Sequence, residues 1–404
     1  MIISVTGIGS ISSNCKNPDE LINAAISSSV KTNFINLSIA NDTIKVPVCS
    51  IDDRDFFLEG FPSFRKLDRT SKLAAYSAQE AWSDSGLDQY DLDMDRVGVI
   101  IGTSRGPVGK WEETYRRQLS KMKQLPSLAA TGTIASISGS ISQLLNASGP
   151  SFTISSTCSS SASAISIGAS LIEAGTCDVV VVGGVESVIN QSIINVMRAA
   201  GLVGEDSIPE HTCKPFDKRR NGLIVGEGAG FLVLESLNHV DKRRGTPLAT
   251  VSGCSTGLSQ AGKVGVQLSG HKFAHSIEKT IHMSGLNPSD IDYINAHGTG
   301  TQLNDLCESN AINLVDGLND VPVSSIKPIT GHCLGASPAL EAVLSIKCIS
   351  NSVVPHTTNL VEQDRNIKLN LIEGEPLKKT VNNVLSTSLG FWGNHASIIF
   401  SKIK

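Results

Sequence analysis

Nine cysteines are spread along the chain, and one of them, Cys158, stands where a thiol could act as a nucleophile. In SFTISSTCSSSASA it follows a β-branched run and precedes a stretch made almost wholly of small residues, which reads as a strand leading into the start of a helix. The first turn of a helix offers unpaired N–H groups and the positive end of the macrodipole. A thiolate is favoured there, and the thiol pKa is expected to fall. The serines and alanines around it leave room for an acyl chain or a carrier arm. The plain alternative is a buried small hydrophobe, and the other eight cysteines, which lack this setting, are read that way.

Two histidines could serve such a nucleophile. NAHGTGT (295–301) puts His297 at the end of a short strand before a glycine-rich turn, the kind of place where α/β sheets assemble their sites. In SSIKPITGHCLGASPALE (324–341), Lys327 lies five residues before His332 and Glu341 nine after it. Either histidine alone could be a hydrogen-bonded core imidazole. Convergence with Cys158 would make them partners in nucleophilic catalysis.

The elements that must position these residues alternate. VGVIIGTS (97–104), PSFTISS (150–156), DVVVVGG (178–184), GAGFLVLES (228–236), DYINAHG (292–298) and VPVSSI (321–326) read as strands, several of them apolar on both faces as in a covered parallel sheet. Residues 69–86, 161–174, 270–285 and 336–350 carry helical spacing. The chain also resembles itself. Residues 74–106 and 273–301 share helix, Ser-Gly-Leu, acidic turn, strand and Gly-Thr in that order, and 150–174 is matched by 321–350. The ordered series predicts two duplicated halves divided near residue 240, with His332 as the second-half counterpart of Cys158.

Composition narrows the function classes. The chain has 404 residues, of which 40 % are hydrophobic and only 18 % charged, enough apolar material for a large core and too little charge for disorder. A formal charge of −4 gives no global field for nucleic acid or an anionic membrane, so an anionic partner would need a local basic patch. The odd, scattered cysteines form no C-x-x-C pair, which points away from a disulfide framework or a zinc site and towards a reducing cytoplasm. The first residues, MIISVTGIGSISSN, lack a basic and then apolar leader, and no run of 18 apolar residues occurs.

With these residues in place, the chain resembles the β-ketoacyl-acyl carrier protein synthases, the elongating condensing enzymes of fatty-acid and polyketide synthesis. VTGIGSIS at the start, KPFDKRRNGLIVGEGAG (214–230), the Cys158 segment, NAHGTGT, KPITGH and LSTSLGFWGNHASIIF (385–400) carry the resemblance. It implies an α/β thiolase fold of two pseudo-symmetric halves in a layered αβαβα body, residues 1–240 bearing the nucleophile and 241–404 the two histidines. It also implies a decarboxylative Claisen condensation of a malonyl-carrier protein with an acyl group held on Cys158. His297 and His332 would stabilise the enolate, Lys327 would organise charge beside His332 in a pair with Glu341, and Asp305 would support the site from behind. The N–H groups of Cys158 and Phe391 would form the oxyanion hole, and Phe391 and Trp392 would gate the pocket. No cofactor or metal is implied. The partners would be an acyl carrier protein and a second subunit, identical or related, with candidate carrier contacts at Arg65, Lys66, Arg69, Arg116 and Arg117; Lys214 and Lys218–Arg220 form a further basic cluster. Two other readings are a catalytically silent chain-length-factor partner, disfavoured by the intact Cys158, His297, His332 and Lys327, and a thiolase-type acyltransferase on CoA thioesters, disfavoured by His332.

Departures from the family pattern carry an expectation of their own. The usual S-F-G-F-G-G-T-N is here Ser388-Leu389-Gly390-Phe391-Trp392-Gly393-Asn394-His395, ASPAL (336–340) replaces a usual A-A-G-A, and Arg105 follows Gly102-Thr103-Ser104 near the expected pocket wall. A bulky indole in the gating loop is expected to alter the pocket, which suggests a specialised polyketide or aryl-polyene substrate.

Overall fold

Runs such as VGVIIG and VVVVGGVE expose no polar face, so they must lie inside a sheet covered on both sides. The computed structural model, which describes residues 3–39, 42–59, 61, 64, 66–260 and 267–403, places both there, with every residue of the two strands buried. Eleven strands form the main sheet. In chain order they are β1 (Ile3–Ser12), β2 (Val97–Gly102), β3 (Ser151–Ile154), β4 (Val179–Glu186), β5 (Gly228–Ser236), β6 (Ala249–Leu258), β7 (Tyr293–Asn295), β8 (Pro322–Ser324), β9 (Asn370–Leu371), β10 (Asn383–Leu389) and β11 (Asn394–Ser401). Their spatial order is β9-β8-β7-β10-β11-β6-β1-β5-β4-β2-β3.

The order repeats itself. On one side β3, β2 and β4 run parallel and continue through antiparallel β5 and β1. On the other side β8, β7 and β10 run parallel and continue through antiparallel β11 and β6. The two series meet where Ile3, Ser4 and Val5 of β1 pair with Val251, Thr250 and Ala249 of β6. The strands matched by internal resemblance, 97–104 with 292–298 and 150–156 with 321–326, are topological counterparts, β2 with β7 and β3 with β8.

Five helices bear on the site: α1 (Arg69–Asp84), α2 (Ser160–Glu173), α3 (His271–Ser284), α4 (Gln302–Asn313) and α5 (Ser337–Asn351). α1 covers β1, β5 and β4 from outside, and α3 covers β6 and β11. α2 and α5 pack on each other and touch strands of both halves, which gives the layering α, β, α, β, α. α5 is therefore buried nearly all round: Leu340, Val343, Leu344 and Ile346 are each at most 1 % exposed, and each such side chain contributes about 1.5–3 kcal/mol relative to exposure.

The four helices expected from spacing are present, with ends moved by one or two residues. Five strands of the sheet are absent from that reading: β1, β6, β10 and β11, which form its middle, and the two-residue β9 at its edge. β1 reads ISVTGIGSIS, and serine, threonine and glycine hide a strand whose ten residues are all buried. Its backbone is supported from α1, where Glu80 accepts from the Ser10 N–H at 2.8 Å and Asp84 from the Ile8 N–H at 2.9 Å.

Candidate active site

Cys158 sits on a tight elbow. β3 ends at Ile154, residues Thr157–Ser159 make one 3₁₀ turn, and α2 begins at Ser160. Thr157 takes the left-handed conformation at φ 56°, which is costly for a β-branched residue. The elbow is held by Ser160, whose hydroxyl accepts from the Ser156 N–H at 2.9 Å and donates to the Thr157 carbonyl at 2.6 Å. From the other half, Gly390 lies so close that a Cβ there would stand 2.1 Å from Thr157 Oγ1. This approach sets the Phe391 N–H near the Cys158 sulfur, where it favours the thiolate. The thiol itself is only 5 % exposed.

That burial corrects one expectation. The helix start suggested a lowered thiol pKa, whereas removal from water pushes the Cys158 thiol up to about 12. The Lys327 charge, Arg105 and the Phe391 N–H oppose the shift, and the Glu186 carboxylate adds to it. At rest Cys158 is therefore a thiol, and any attack through its sulfur requires that it hand on a proton.

His297 follows β7, and Lys327 follows β8, the next strand of the sheet. The Lys327 Nζ lies 3.2 Å from His297 Nδ1, 2.5 Å from Glu341 Oε1 on α5, and also donates to the His297 carbonyl. An ammonium has no lone pair, so Nδ1 must accept and the ring proton of a neutral His297 belongs on Nε2. Burial, joined by the Lys327 charge and by His332, holds His297 well below the ordinary histidine range. His332 enters from the turn between β8 and α5. Its N–H donates to the Ile224 carbonyl at 2.8 Å, and its carbonyl accepts from Gly226 at 3.1 Å. Its Nδ1 faces the Ser337 hydroxyl at 3.1 Å. Burial and the Lys327 charge keep this ring neutral too. The two rings meet edge to face with centroids 5.2 Å apart. Lys327 is thus organised around His297 in a buried pair with Glu341; the sequence reading had set it beside His332.

Two acids stand behind the site. Asp305 holds the glycine-rich turn after His297: its carboxylate accepts from the N–H groups of Phe216 (2.8 Å), Thr299 (3.0 Å) and Gly300 (3.2 Å), with Arg220 beside it. The His297 backbone is held by Glu308, which accepts from the N–H of His297 at 2.7 Å and of Gly298 at 2.8 Å, and from Thr387 Oγ1 at 2.7 Å. Burial raises Glu308 to about 7 against those donors. The signal was present in the sequence, because Asp305 and Glu308 stand three apart, on one face of α4, just past the glycine-rich turn. Glu186 and Ser337 were also missed.

Cys158, His297, His332, Leu389 and Phe391 share one cavity of about 300 Å³, walled by apolar Met197, Leu202, Leu223 and Leu334 and by polar Asn221, Thr299, Thr301 and Asn304. Trp392 is not part of that wall. Its side chain is 53 % exposed, and its backbone adopts φ 64° between Gly390 and Gly393. The left-handed turn leaves the indole exposed and off the pocket wall, so Trp392 does not narrow the cavity.

Several of the basic residues are already engaged. Arg69 is bound to the buried Glu227 at 2.6 Å and to Asp53. Arg116 pairs with Glu112 at 2.5 Å, and Arg117 donates to the Lys123 carbonyl at 2.8 Å. In the further cluster, Lys214 pairs with Asp206, Arg219 with Asp217, and Arg220 with Asp364. Lys66 is exposed, and Arg65 lies outside the described residues.

Comparison with known proteins agrees with this architecture. Residues 2–240 match the model of the β-ketoacyl synthase N-terminal domain, and residues 248–361 that of the C-terminal domain. The chain is 31 % identical to a putative polyketide β-ketoacyl synthase 1 of Streptomyces halstedii, over 83 % of this chain and 82 % of that one. It is 32 % identical to 3-oxoacyl-[acyl-carrier-protein] synthase 2 of Coxiella burnetii, over 84 % of each. Among solved structures it resembles the ishigamide ketosynthase/chain length factor, with a TM-score of 0.90, 26 % identity and coverage of 100 % of this chain and 99 % of the other. A β-ketoacyl synthase from Burkholderia phymatum gives 0.89, 26 % and full coverage of both.

Proposed function

Since the chain belongs to the β-ketoacyl synthase family, we propose that it is an elongating ketosynthase in which Cys158 carries the growing chain and His297 and His332 act on the malonyl unit. The observation that carries this reading is the convergence of one thiol and two neutral imidazoles on a single cavity. Cys158 Sγ attacks an acyl-carrier thioester, the carrier thiol leaves, and the Cys158 proton passes to it. Malonyl-carrier then loses CO₂, and the electron pair of the broken C–C bond becomes an enolate. The Nε2–H of His297, and that of His332 with its Nδ1 accepting from the Ser337 hydroxyl, donate to the enolate oxygen, a stabilisation strongest in a dry pocket. The enolate carbon attacks the Cys158 thioester, the C–S bond breaks, the departing Cys158 sulfur takes up a proton from water, and a β-ketoacyl-carrier two carbons longer is released.

The division of labour follows the duplication, with residues 1–240 contributing the nucleophile and 241–404 the histidines. A second subunit fits the outer edge of β3, the last strand of the sheet, where Phe152 is 53 % exposed. Trp111, Tyr115 and Leu119 make an exposed stripe four residues apart on the helix Val108–Leu119. One solved relative is a ketosynthase with a chain length factor, so the second subunit is either another copy of this chain or a related factor. Lys66 and the exposed Lys121 and Lys123 are the basic residues best placed to meet an acidic carrier protein. No helix among the described residues is long and apolar enough to cross a membrane, and the cytoplasm is the compartment that suits its unpaired thiols.

The departures at Leu389 and in ASPAL, which lie at the cavity and beside His332, support a polyketide or aryl-polyene chain over a long saturated one. Rates with short acyl, long saturated acyl and aryl-polyenoyl carrier thioesters test this. Preference for the aryl-polyenoyl substrate is expected, and preference for the long saturated chain would contradict it. Turnover on CoA thioesters alone would favour the thiolase-type reading.

A further inference from the structure

Glu186 ends β4 with its side chain wholly buried and takes no part in the chemistry above. Its carboxylate accepts from four donors. Ser104 N–H (2.7 Å) and Gly335 N–H (3.0 Å) meet Oε2, while Arg105 N–H (3.0 Å) and the Thr103 hydroxyl (3.2 Å) meet Oε1. Three of these belong to the loop after β2 in the first half, and the fourth to the turn between His332 and α5 in the second. The loop and the turn are in backbone contact, because a Cβ at Gly335 would stand 2.4 Å from Ser104 N.

Each side leads directly to a reacting group. On the first-half side, Gly102 ends β2 so close to the elbow that a Cβ there would stand 2.3 Å from the Ser160 carbonyl carbon, and Ser160 holds the elbow that bears Cys158. From Gly335 the turn runs two residues to Ser337, whose hydroxyl meets His332 Nδ1. Resting on the ketosynthase reading, we propose that Glu186 is a positioning residue that ties the Cys158 elbow to the His332 turn and so sets the spacing across which thiol and imidazole act. A carboxylate suits this place because both oxygens accept. A carboxamide of the same size would turn one NH₂ towards N–H donors and push the loop and the turn apart.

The charge of Glu186 gives the idea a signature that a merely structural role lacks. Burial raises Glu186 to about 7, so at pH 8.5 it is largely ionised and its negative charge opposes ionisation of Cys158; at that pH Glu186→Gln should make the thiol easier to ionise while displacing His332. The experiment measures the iodoacetamide alkylation rate of Cys158 and CO₂ release from malonyl-carrier protein in wild type and Glu186→Gln. Alkylation is expected to rise about threefold or more and decarboxylation to fall at least tenfold. Equal loss of both rates, or no change in either, would overturn the proposal. Should Glu186→Gln not fold, Thr103→Val removes one donor and keeps the charge; decarboxylation should then fall with alkylation unchanged, and unchanged decarboxylation would overturn it. A wild-type protein that alkylates at Cys158 yet releases no CO₂ would overturn the condensing reading itself, and the positioning claim with it.

Discussion

At the scale of single residues, the site depends on a lysine that does not line the cavity. Lys327 is fully buried, its charge answered by Glu341, and it sets which nitrogen of His297 holds the proton. Removing one partner of a buried ion pair leaves the other uncompensated, which costs about 3–5 kcal/mol. Lys327→Met is therefore expected to lower the melting temperature markedly and to abolish decarboxylation. Lys327→Met with Glu341→Leu should regain stability but not activity, and recovery of both in the thermal and CO₂-release measurements would contradict this role. The histidines carry a pH prediction. Their folded pKa values lie well below the ordinary 6.5, so protons bind only far below that pH and the enolate donors stay neutral as pH falls from 8 to 6. Nitrogen-15 NMR, with signals assigned by single substitutions, should show no titration of His297 or His332 in that range; a midpoint at or above 6.5 would contradict the burial argument.

Elements explain which parts were legible in the sequence. Strands β2 and β4 and helices α1, α2, α3 and α5 could be read because each has one dominant period or an unbroken apolar run. β1, β6, β10 and β11 could not, because their serines, glycines and threonines are buried by packing between helices that no local pattern records. The elbow was legible in outline, and so were Cys158, His297, His332, Lys327 and Glu341. The direction of the Cys158 pKa was not, since a helix start is a local feature and burial comes from the second half closing over it. Gly390 is the clearest contact of that closure. Gly390→Ala must displace Thr157 or the Phe391 loop, and displacement of about 1 Å costs about 10²-fold in rate. Condensation by Gly390→Ala should fall by that order with the melting temperature little changed; near wild-type kcat would mean that the loop does not register the elbow.

At the scale of the whole molecule, a repeated strand topology brings the site residues together. One topological series supplies a thiol on the turn after its β3, the other supplies His332 after its β8, and the β1–β6 junction with α2 and α5 between the halves brings the two turns together. The sheet ends at β3, and the helix Val108–Leu119 carries an exposed apolar stripe, surfaces that a second subunit would cover. Phe152→Asp should convert the assembly to single chains in sedimentation velocity, and an unchanged sedimentation coefficient would remove that edge from the interface. The central claim, that Cys158 holds the growing chain while the second half decarboxylates the extender, is tested most directly by peptide mass spectrometry after mixing with an acyl-carrier thioester and then malonyl-carrier protein. The account predicts an acyl adduct on the Cys158 peptide alone, its discharge on adding malonyl-carrier with CO₂ release, and a carrier-bound product longer by two carbons. An adduct on another cysteine, or the same product formed by Cys158→Ala, would contradict it.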